Sequence, residues 1–385
     1  MMRTFAFCCV AALAGLVASA CSVSNEGNVT APPPPPSTTS TASGGSSTGG
    51  SGAGGGSVIP TGGLTGDGGP TDLSKPWKSS GCGQPKPADQ KDTIPGSRTG
   101  YTERHVMQTG ATLGTTDPSK AGDRQYFVRL PADYDVNKPY RVVYIGQGCG
   151  EKHAGNTATY ALFDESKGGS EEAIYIGLSV PDNNANPTCF DNNDGPQSQE
   201  WEAFDLIQTQ IEKTYCVDNN RIYVAGYSTG GWLSDMWACY FGGIPTPPRK
   251  FSPKWAIRGH ANVTGSLPDN QPKPCGGPAA GFWIHDALDK QNQLAGNIAA
   301  LDLALQTNGC TGTYADGPKE PWAPAEGITG LGGGICQDYS VSCPAAMAKN
   351  YPLIFCTTNG LGHADQSTSA IPAFTTFFNL LNPTP

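Results

Sequence analysis

Gly226-Tyr227-Ser228-Thr229-Gly230 decides how this chain folds, because a strand-like run precedes it and a helix-like run follows. Arg221-Ile222-Tyr223-Val224-Ala225 is β-branched and apolar, as a short buried strand requires, and Gly231-Trp232-Leu233-Ser234-Asp235-Met236-Trp237-Ala238 reads as a helix. A serine at such a junction is held on a strained turn with its Oγ exposed. The flanking glycines permit close backbone approach, and the helix N-terminus lies behind any oxyanion that develops. The chain carries its own control on this pattern. Gly45-Ser46-Ser47-Thr48-Gly49 has the same spacing but lies in a Gly/Ser/Thr tract with no strand or helix to strain the turn.

Outward from the elbow, the sequence predicts alternating strands and helices. Arg124–Leu130 alternates polar and apolar residues before Pro131, as an antiparallel strand with one wet face does. Arg141–Ile145 and Ala173–Leu178 are continuously apolar and predict strands covered on both faces. Gln199–Tyr215 has apolar residues near helical spacing and acidic residues near its start. Further strands are expected at Trp255–Ile257, Gly281–Ile284 and Tyr351–Phe355, and helices at Asn297–Gln306 and Pro372–Leu381. This order implies a mostly parallel central sheet flanked by helices, and the strand-elbow-helix unit narrows the class to an α/β-hydrolase fold.

The ends of the chain set its expected context. Residues 1–20 hold one early cation, Arg3, an apolar run from Phe5 to Val17 and a small-residue finish at Ala18-Ser19-Ala20, the pattern of an export signal. The run is shorter than the about 20 apolar residues a spanning helix needs. Cys21 directly after three small residues resembles a bacterial lipobox and predicts lipidation of Cys21; ordinary cleavage near Ala20 is the alternative, since Ala18 stands where the lipobox has leucine. Ser22 at the next position points, by resemblance to bacterial lipoproteins, to an outer-membrane anchor, so the expected location is the outer membrane or the extracellular space. Residues 21–76 are rich in Pro, Gly, Ser and Thr, with five consecutive prolines at Pro32–Pro36, and predict a disordered tether with a reach of roughly 40 Å. Residues 77–385 are long enough for one catalytic domain with its own core.

Of thirteen cysteines, Cys8, Cys9 and Cys21 belong to the leader, and the other ten contain no C-x-x-C pair. Behind an export signal they read as disulfides and not as metal ligands. The net charge of −9 and the lack of a basic cluster exclude nucleic acid as an expected partner.

A serine hydroxyl becomes a nucleophile when a neutral imidazole takes its proton and a carboxylate fixes that imidazole's tautomer. In this fold the chain order is serine, acid, histidine. Only His260, His285 and His363 follow Ser228. His260 leaves no room for an acid before it, and His285 is followed at once by aspartates, so His363, in the loop Asn359–His363 after the last apolar strand, is the expected base. Asp289 is the expected acid, with Asp286 as its rival, both just beyond the carboxyl end of a strand. The expected oxyanion donors are the backbone N–H groups of Thr229 and of Cys149, in the turn Gly146-Gln147-Gly148-Cys149-Gly150. Trp232, Trp283 and Trp201 are candidates for an aromatic acyl pocket, against the commoner alternative that they are core. This chemistry calls for no cofactor and no metal.

Several of these segments together resemble the secreted feruloyl esterase and poly(3-hydroxybutyrate) depolymerase-like family of serine esterases. Cys216–Gly231 matches its Cys-Val-Asp, strand and Gly-x-Ser-x-Gly-Gly run, and Ser80–Gly83, Leu130–Asp135 and Lys138–Tyr140 resemble its earlier segments. The resemblance places the nucleophile on Ser228, the acid on Asp289 and the base on His363. Two positions depart from the family pattern: Gln147 stands where a histidine is usual, and His285-Asp286-Ala287-Leu288-Asp289 stands for His-Gly-Thr-Ala-Asp. The implied substrate is a feruloyl ester of plant cell-wall polysaccharide, with a polyester or an acetylated xylan as the rival, the implied partner nothing beyond that substrate, and the implied state a monomer. A binding module that keeps the fold without turnover is the alternative of a different class.

Overall fold

The computed structural model describes residues 73, 75–94, 100–108, 122–150, 172–180, 189–190, 199–243, 256–268, 275–324, 334–363 and 367–381. The leader, Cys21 and nearly all of the tether lie outside the described residues. Ten strands in the described residues form one sheet: β1 (Thr102–Met107), β2 (Asp123–Arg129), β3 (Tyr140–Gly146), β4 (Ala173–Leu178), β5 (Val217–Tyr227), β6 (Gly259–Val263), β7 (Ala280–Asp286), β8 (Glu320–Pro321), β9 (Ile335–Asp338) and β10 (Leu353–Thr358). Their spatial order is β1-β2-β4-β3-β5-β6-β7-β10-β9-β8. The six central strands from β4 to β10 run parallel, and antiparallel strands close both edges. With the strand-elbow-helix unit at its centre, this is the α/β-hydrolase fold.

The described residues hold five α-helices: α1 (Gln199–Thr214), α2 (Thr229–Phe241), α3 (Leu294–Thr307), α4 (Ala345–Asn350) and α5 (Ser367–Leu380). The two-residue period of the strands sorts the core into layers. Val142, Tyr144, Ile174, Ile176 and Val224 face α1 and α2, where Phe204, Ile207, Trp237 and Phe241 pack on them. Val143, Ile145, Tyr223, Ala225, Phe282 and Ile284 point to the other face, against Ile371, Phe374, Phe377 and Phe378 of α5. Trp283, Leu353 and Phe355 form a third cluster with Leu301 and Leu305 of α3. The central strands are therefore apolar on both faces, which is why their sequences read as continuous apolar runs.

Three expectations shift when tertiary contacts are in place. Of the strand expected at Trp255–Ile257, Trp255 lies outside the described residues and Ile257 makes an isolated bridge to Gly242; the strand forms further along, at Gly259–Val263. The real strand, Gly259-His260-Ala261-Asn262-Val263, carries two polar residues that its pattern alone would expose, yet both are buried beside Asp235, which accepts from the Asn262 amide and lies 2.8 Å from His260 Nε2. Helix α5 begins at Ser367, so Pro372 lies inside it and not at its start; Ala370 and Ile371, upstream of the proline, are anchored in the core. Strand β1 and the short edge strands β8 and β9 had no expectation attached to them, as short edge elements carry little apolar pattern.

All ten cysteines outside the leader are paired: Cys82–Cys216, Cys149–Cys189, Cys239–Cys275, Cys310–Cys343 and Cys336–Cys356. Cys82–Cys216 spans 134 residues of sequence and holds the first described segment to the junction of α1 and β5. Ser79 locks the same junction: its Oγ donates to the Tyr215 carbonyl at 2.8 Å and accepts from the Val217 N–H at 3.0 Å. A buried ion pair between Arg124 of β2 and Glu200 of α1, at 2.5 Å, fixes the first helix against the sheet. Intact-mass measurement of the full chain with and without reductant is expected to show five disulfides. The double variant Cys82→Ser/Cys216→Ser should lose about 2–5 kcal/mol of stability in denaturant unfolding.

Candidate active site

β5 delivers Ser228 to the carboxyl edge of the sheet, between β3 and β6. Its backbone has φ 54° and ψ −120°, in the region that side-chain-bearing residues rarely occupy. Two glycines make this turn possible. A Cβ on Gly226 would lie 2.0 Å from the Gly230 carbonyl oxygen, and one on Gly230 would lie 2.1 Å from the Gly146 carbonyl oxygen. The elbow is thus wedged against the end of β3 and cannot relax without separating the two strands. The Ser228 N–H donates to the Val263 carbonyl of β6 at 2.9 Å. Although Ser228 is the N-cap of α2, its Oγ makes no capping hydrogen bond and is left for other work.

That oxygen meets His363. His363 Nε2 lies 3.0 Å from Ser228 Oγ, and its Nδ1 lies 2.8 Å from Asp289 Oδ2. The three residues come from the ends of β5, β7 and β10, so residues 135 and 74 positions apart meet because three parallel strands end on one edge. The His363 imidazole is also held from behind: Tyr227 donates its hydroxyl to the His363 carbonyl at 2.6 Å, and its ring stands 5.3 Å from the imidazole, centre to centre. Sequence reasoning passed over Tyr227, although its place beside the nucleophile in the elbow marks it.

The two aspartates beyond β7 have different surroundings. Asp289 Oδ1 accepts the N–H groups of Gln291 at 2.8 Å and Asn292 at 3.1 Å, leaving Oδ2 for His363. Asp286 makes its hydrogen bonds to other partners. Its Oδ2 accepts from the Thr358 hydroxyl and the Leu361 N–H, both at 2.8 Å, and its Oδ1 accepts from the Leu288 N–H at 2.9 Å. Burial works against its charge. The N–H groups of Leu361 and Leu288 and the Thr358 hydroxyl outweigh that effect and hold the carboxyl below the ordinary range. Asp286 therefore ties the loop carrying His363 to the strand carrying Asp289.

The turn after β3 packs on the start of α2, with a Cβ on Gly148 reaching 3.4 Å from Ser228 Cβ. Thr229, first residue of α2, presents its backbone N–H at the helix N-terminus. Cys149, one residue beyond Gly148, is exposed and tethered to Cys189. Of the three tryptophans, the structure leaves only Trp232 half-buried near the nucleophile, one turn along α2. Trp201 and Trp283 are buried core residues. Trp201 packs on Tyr240 and Phe241 at the far end of α2, roughly 18 Å from Ser228 at 1.5 Å per residue. Trp283 is buried between β7 and α3, with its Nε1–H donated to Asp235 Oδ1 at 3.0 Å. His260 is likewise internal, with Nε2 2.8 Å from Asp235 Oδ1. The arrangement as a whole offers a hydroxyl, an imidazole and a buried carboxylate in series, at the mouth of a helix N-terminus.

No protein-family model matches the chain. "Feruloyl esterase D" of Neurospora crassa is 28% identical over 233 residues, which cover 56% of this chain and 69% of that protein. "Feruloyl esterase C" of Emericella nidulans is 23% identical over 229 residues, 59% of this chain and 74% of the relative. Among solved structures, an acetyl xylan esterase from Aspergillus awamori aligns with a TM-score of 0.48 at 12% identity, over 72% of this chain and 99% of its own. The feruloyl esterase module from Clostridium thermocellum complexed with sinapinate aligns with a TM-score of 0.45 at 13% identity, over 81% and 98%. The sequence matches span 69% and 74% of these two relatives' lengths, and together with the α/β-hydrolase sheet and elbow described above they support a carboxylic ester hydrolase.

Proposed function

We propose that the chain is an exported serine esterase in which Ser228, His363 and Asp289 form the catalytic triad, and that its substrates are feruloyl esters of plant cell-wall polysaccharide. The observation that carries this reading is the pair of contacts at His363, 3.0 Å to Ser228 Oγ on one side and 2.8 Å to Asp289 on the other. In the first half-reaction Ser228 Oγ attacks the ester carbonyl while His363 Nε2 takes its proton, and Asp289 stabilises the imidazolium through Nδ1–H. The carbonyl oxygen becomes an oxyanion held by the N–H groups of Thr229 and Cys149. Collapse breaks the bond to the alcohol, which leaves with the proton from His363 Nε2. Water then attacks the acyl-enzyme, giving its proton to His363, and the acid is released as Ser228 recovers its hydrogen.

The substrate class rests on the names of the relatives, both feruloyl esterases. Export rests on the leader and on ten paired cysteines, which suit an oxidising compartment; anchoring through Cys21 rests on the residues that precede it.

Ferulate release from methyl ferulate and from feruloylated arabinoxylan by the full exported chain is the direct test. Release of ferulate is expected; turnover of short-chain nitrophenyl esters alone would move the substrate to acetyl groups or polyesters. Ser228→Ala should lower kcat by about 10⁴-fold or more without changing the unfolding transition. Asp289→Asn is expected to cost about 10⁴-fold in kcat because it spoils the tautomer of His363. Asp286→Asn should instead loosen the His363 loop, with a smaller rate loss and a lower stability. Since the folded Asp286 carboxyl titrates below its ordinary value, its stabilising contribution is complete at neutral pH and is lost only as pH falls through the acid range. An unfolding series from pH 7 downward should show that loss in the parent chain and less of it in Asp286→Asn.

A further inference from the structure

Behind the acid lies a line of buried polar side chains that the reaction as written does not use. Asp235 of α2 accepts from Asn262 Nδ2 at 2.5 Å; Asn262 and Asn297 of α3 exchange amide hydrogen bonds at 3.0 and 3.3 Å; and Asn297 Nδ2 lies 2.9 Å from His285 Nδ1. His285 Nε2 lies 3.0 Å from the Asn292 carbonyl and 3.6 Å from Asp289 Oδ2. All of these side chains except Asn292 are buried.

The direction of every bond in this line is fixed. The Asp235 carboxylate accepts, so Asn262 turns its NH2 toward it and, with the second hydrogen, toward Asn297 Oδ1. The Gly265 N–H, 2.7 Å from Asn262 Oδ1, holds the same orientation. Asn297 then gives one hydrogen to Asn262 and the other to His285 Nδ1, which must be bare to receive it. His285 consequently carries its single proton on Nε2, where the Asn292 carbonyl accepts it. Asn292 returns its own N–H to Asp289 Oδ1 and its side-chain amide to the Thr264 carbonyl.

We propose that the buried array Asp235, Asn262 and Asn297 keeps His285 a neutral Nε2–H imidazole, so that the charge of Asp289 is reserved for His363. This inference rests on the triad reading. A second imidazolium 3.6 Å from Asp289 Oδ2 would offset the charge that stabilises protonated His363 during attack. The nearby carboxylates would otherwise favour a cation there: Asp286 follows it in β7, Asp289 faces it, and the Asp235–His260 pair lies behind Asn262; His363, beyond β10, opposes a cation, while β10 contributes the hydroxyls of Thr357 and Thr358 and α3 the amide of Asn297. Burial, the largest influence on His285, also pushes its pKa down. His285 and Asn297 are thus positioning residues acting through Asp289.

The test uses the full chain labelled with ¹⁵N-histidine. The His285 signals, assigned by their loss in His285→Gln, should show a bare Nδ1 and a protonated Nε2 throughout the range in which exposed histidines titrate; protonation of His285 in that range, or an Nδ1–H tautomer, would overturn the proposal. Asn297→Asp replaces the donor at Nδ1 with an acceptor and should make His285 a cation. Its kcat on methyl ferulate should fall by about tenfold or more with KM little changed, and the acid limb of kcat/KM should move to lower pH. A folded Asn297→Asp variant with an unshifted limb would sink the idea. His285→Gln, which keeps a neutral donor toward Asn292 and an acceptor toward Asn297, should lose several-fold less than His285→Ala; equal losses would count against it. Full activity in Ser228→Ala would instead overturn the triad itself, and the spectrum of His285 reads the array independently of that result.

Discussion

The backbone at Ser228 is the constraint on which the rest of the structure depends. Its φ of 54° is held only because Gly226 and Gly230 let the start of α2 press onto the end of β3, with no room for a side chain at either position. That contact does two jobs. It leaves the serine oxygen free of a capping bond to the helix it caps, and it sets the N-terminus of α2 directly after that serine. The cost of the unfavourable conformation is carried by a large core, with α1 and α2 packed on one face of the sheet and α5 on the other.

Given a fixed serine, the partners follow from the parallel arrangement of β5, β6, β7 and β10. Parallel strands end on one edge, so the loops after them meet there whatever their separation in the chain. Two aspartates three residues apart leave β7 and take different tasks because their hydrogen-bond donors differ. Asp286 is enclosed by donors from the loop of His363 and becomes a tie between loops. Asp289 has one oxygen satisfied by the turn that follows and the other directed at the imidazole. Chemical type is the same in both; position relative to neighbouring N–H groups decides the role.

Buried polar residues recur where the apolar pattern is weakest. β6 carries His260 and Asn262 in the middle of the sheet; Asn262 is tolerated because Asp235, Asn297 and the Gly265 N–H meet its hydrogen-bonding groups, and His260 sits with Nε2 2.8 Å from the Asp235 carboxylate. The same feature hid the strand from its pattern and supplies the line that ends beside Asp289. A departure from apolar patterning here coincides with the part of the core nearest the site.

By itself the sequence determined the class of fold, the elbow, and the set of residues from which the site is drawn. Those are local properties: continuous apolar runs mark doubly covered strands, glycines mark a turn with no space for a Cβ, and the order serine, aspartate, histidine is a feature of the chain. The tertiary structure decided what depends on contacts between distant segments. It separated Asp289 from Asp286 by their donors, sent Trp201 and Trp283 into the core while leaving Trp232 near the serine, paired the ten cysteines, and placed β6 four residues beyond where apolar pattern put it. A one-dimensional pattern records which side chains avoid water, but not which buried donor meets which buried acceptor, and at this site that pairing fixes the chemistry.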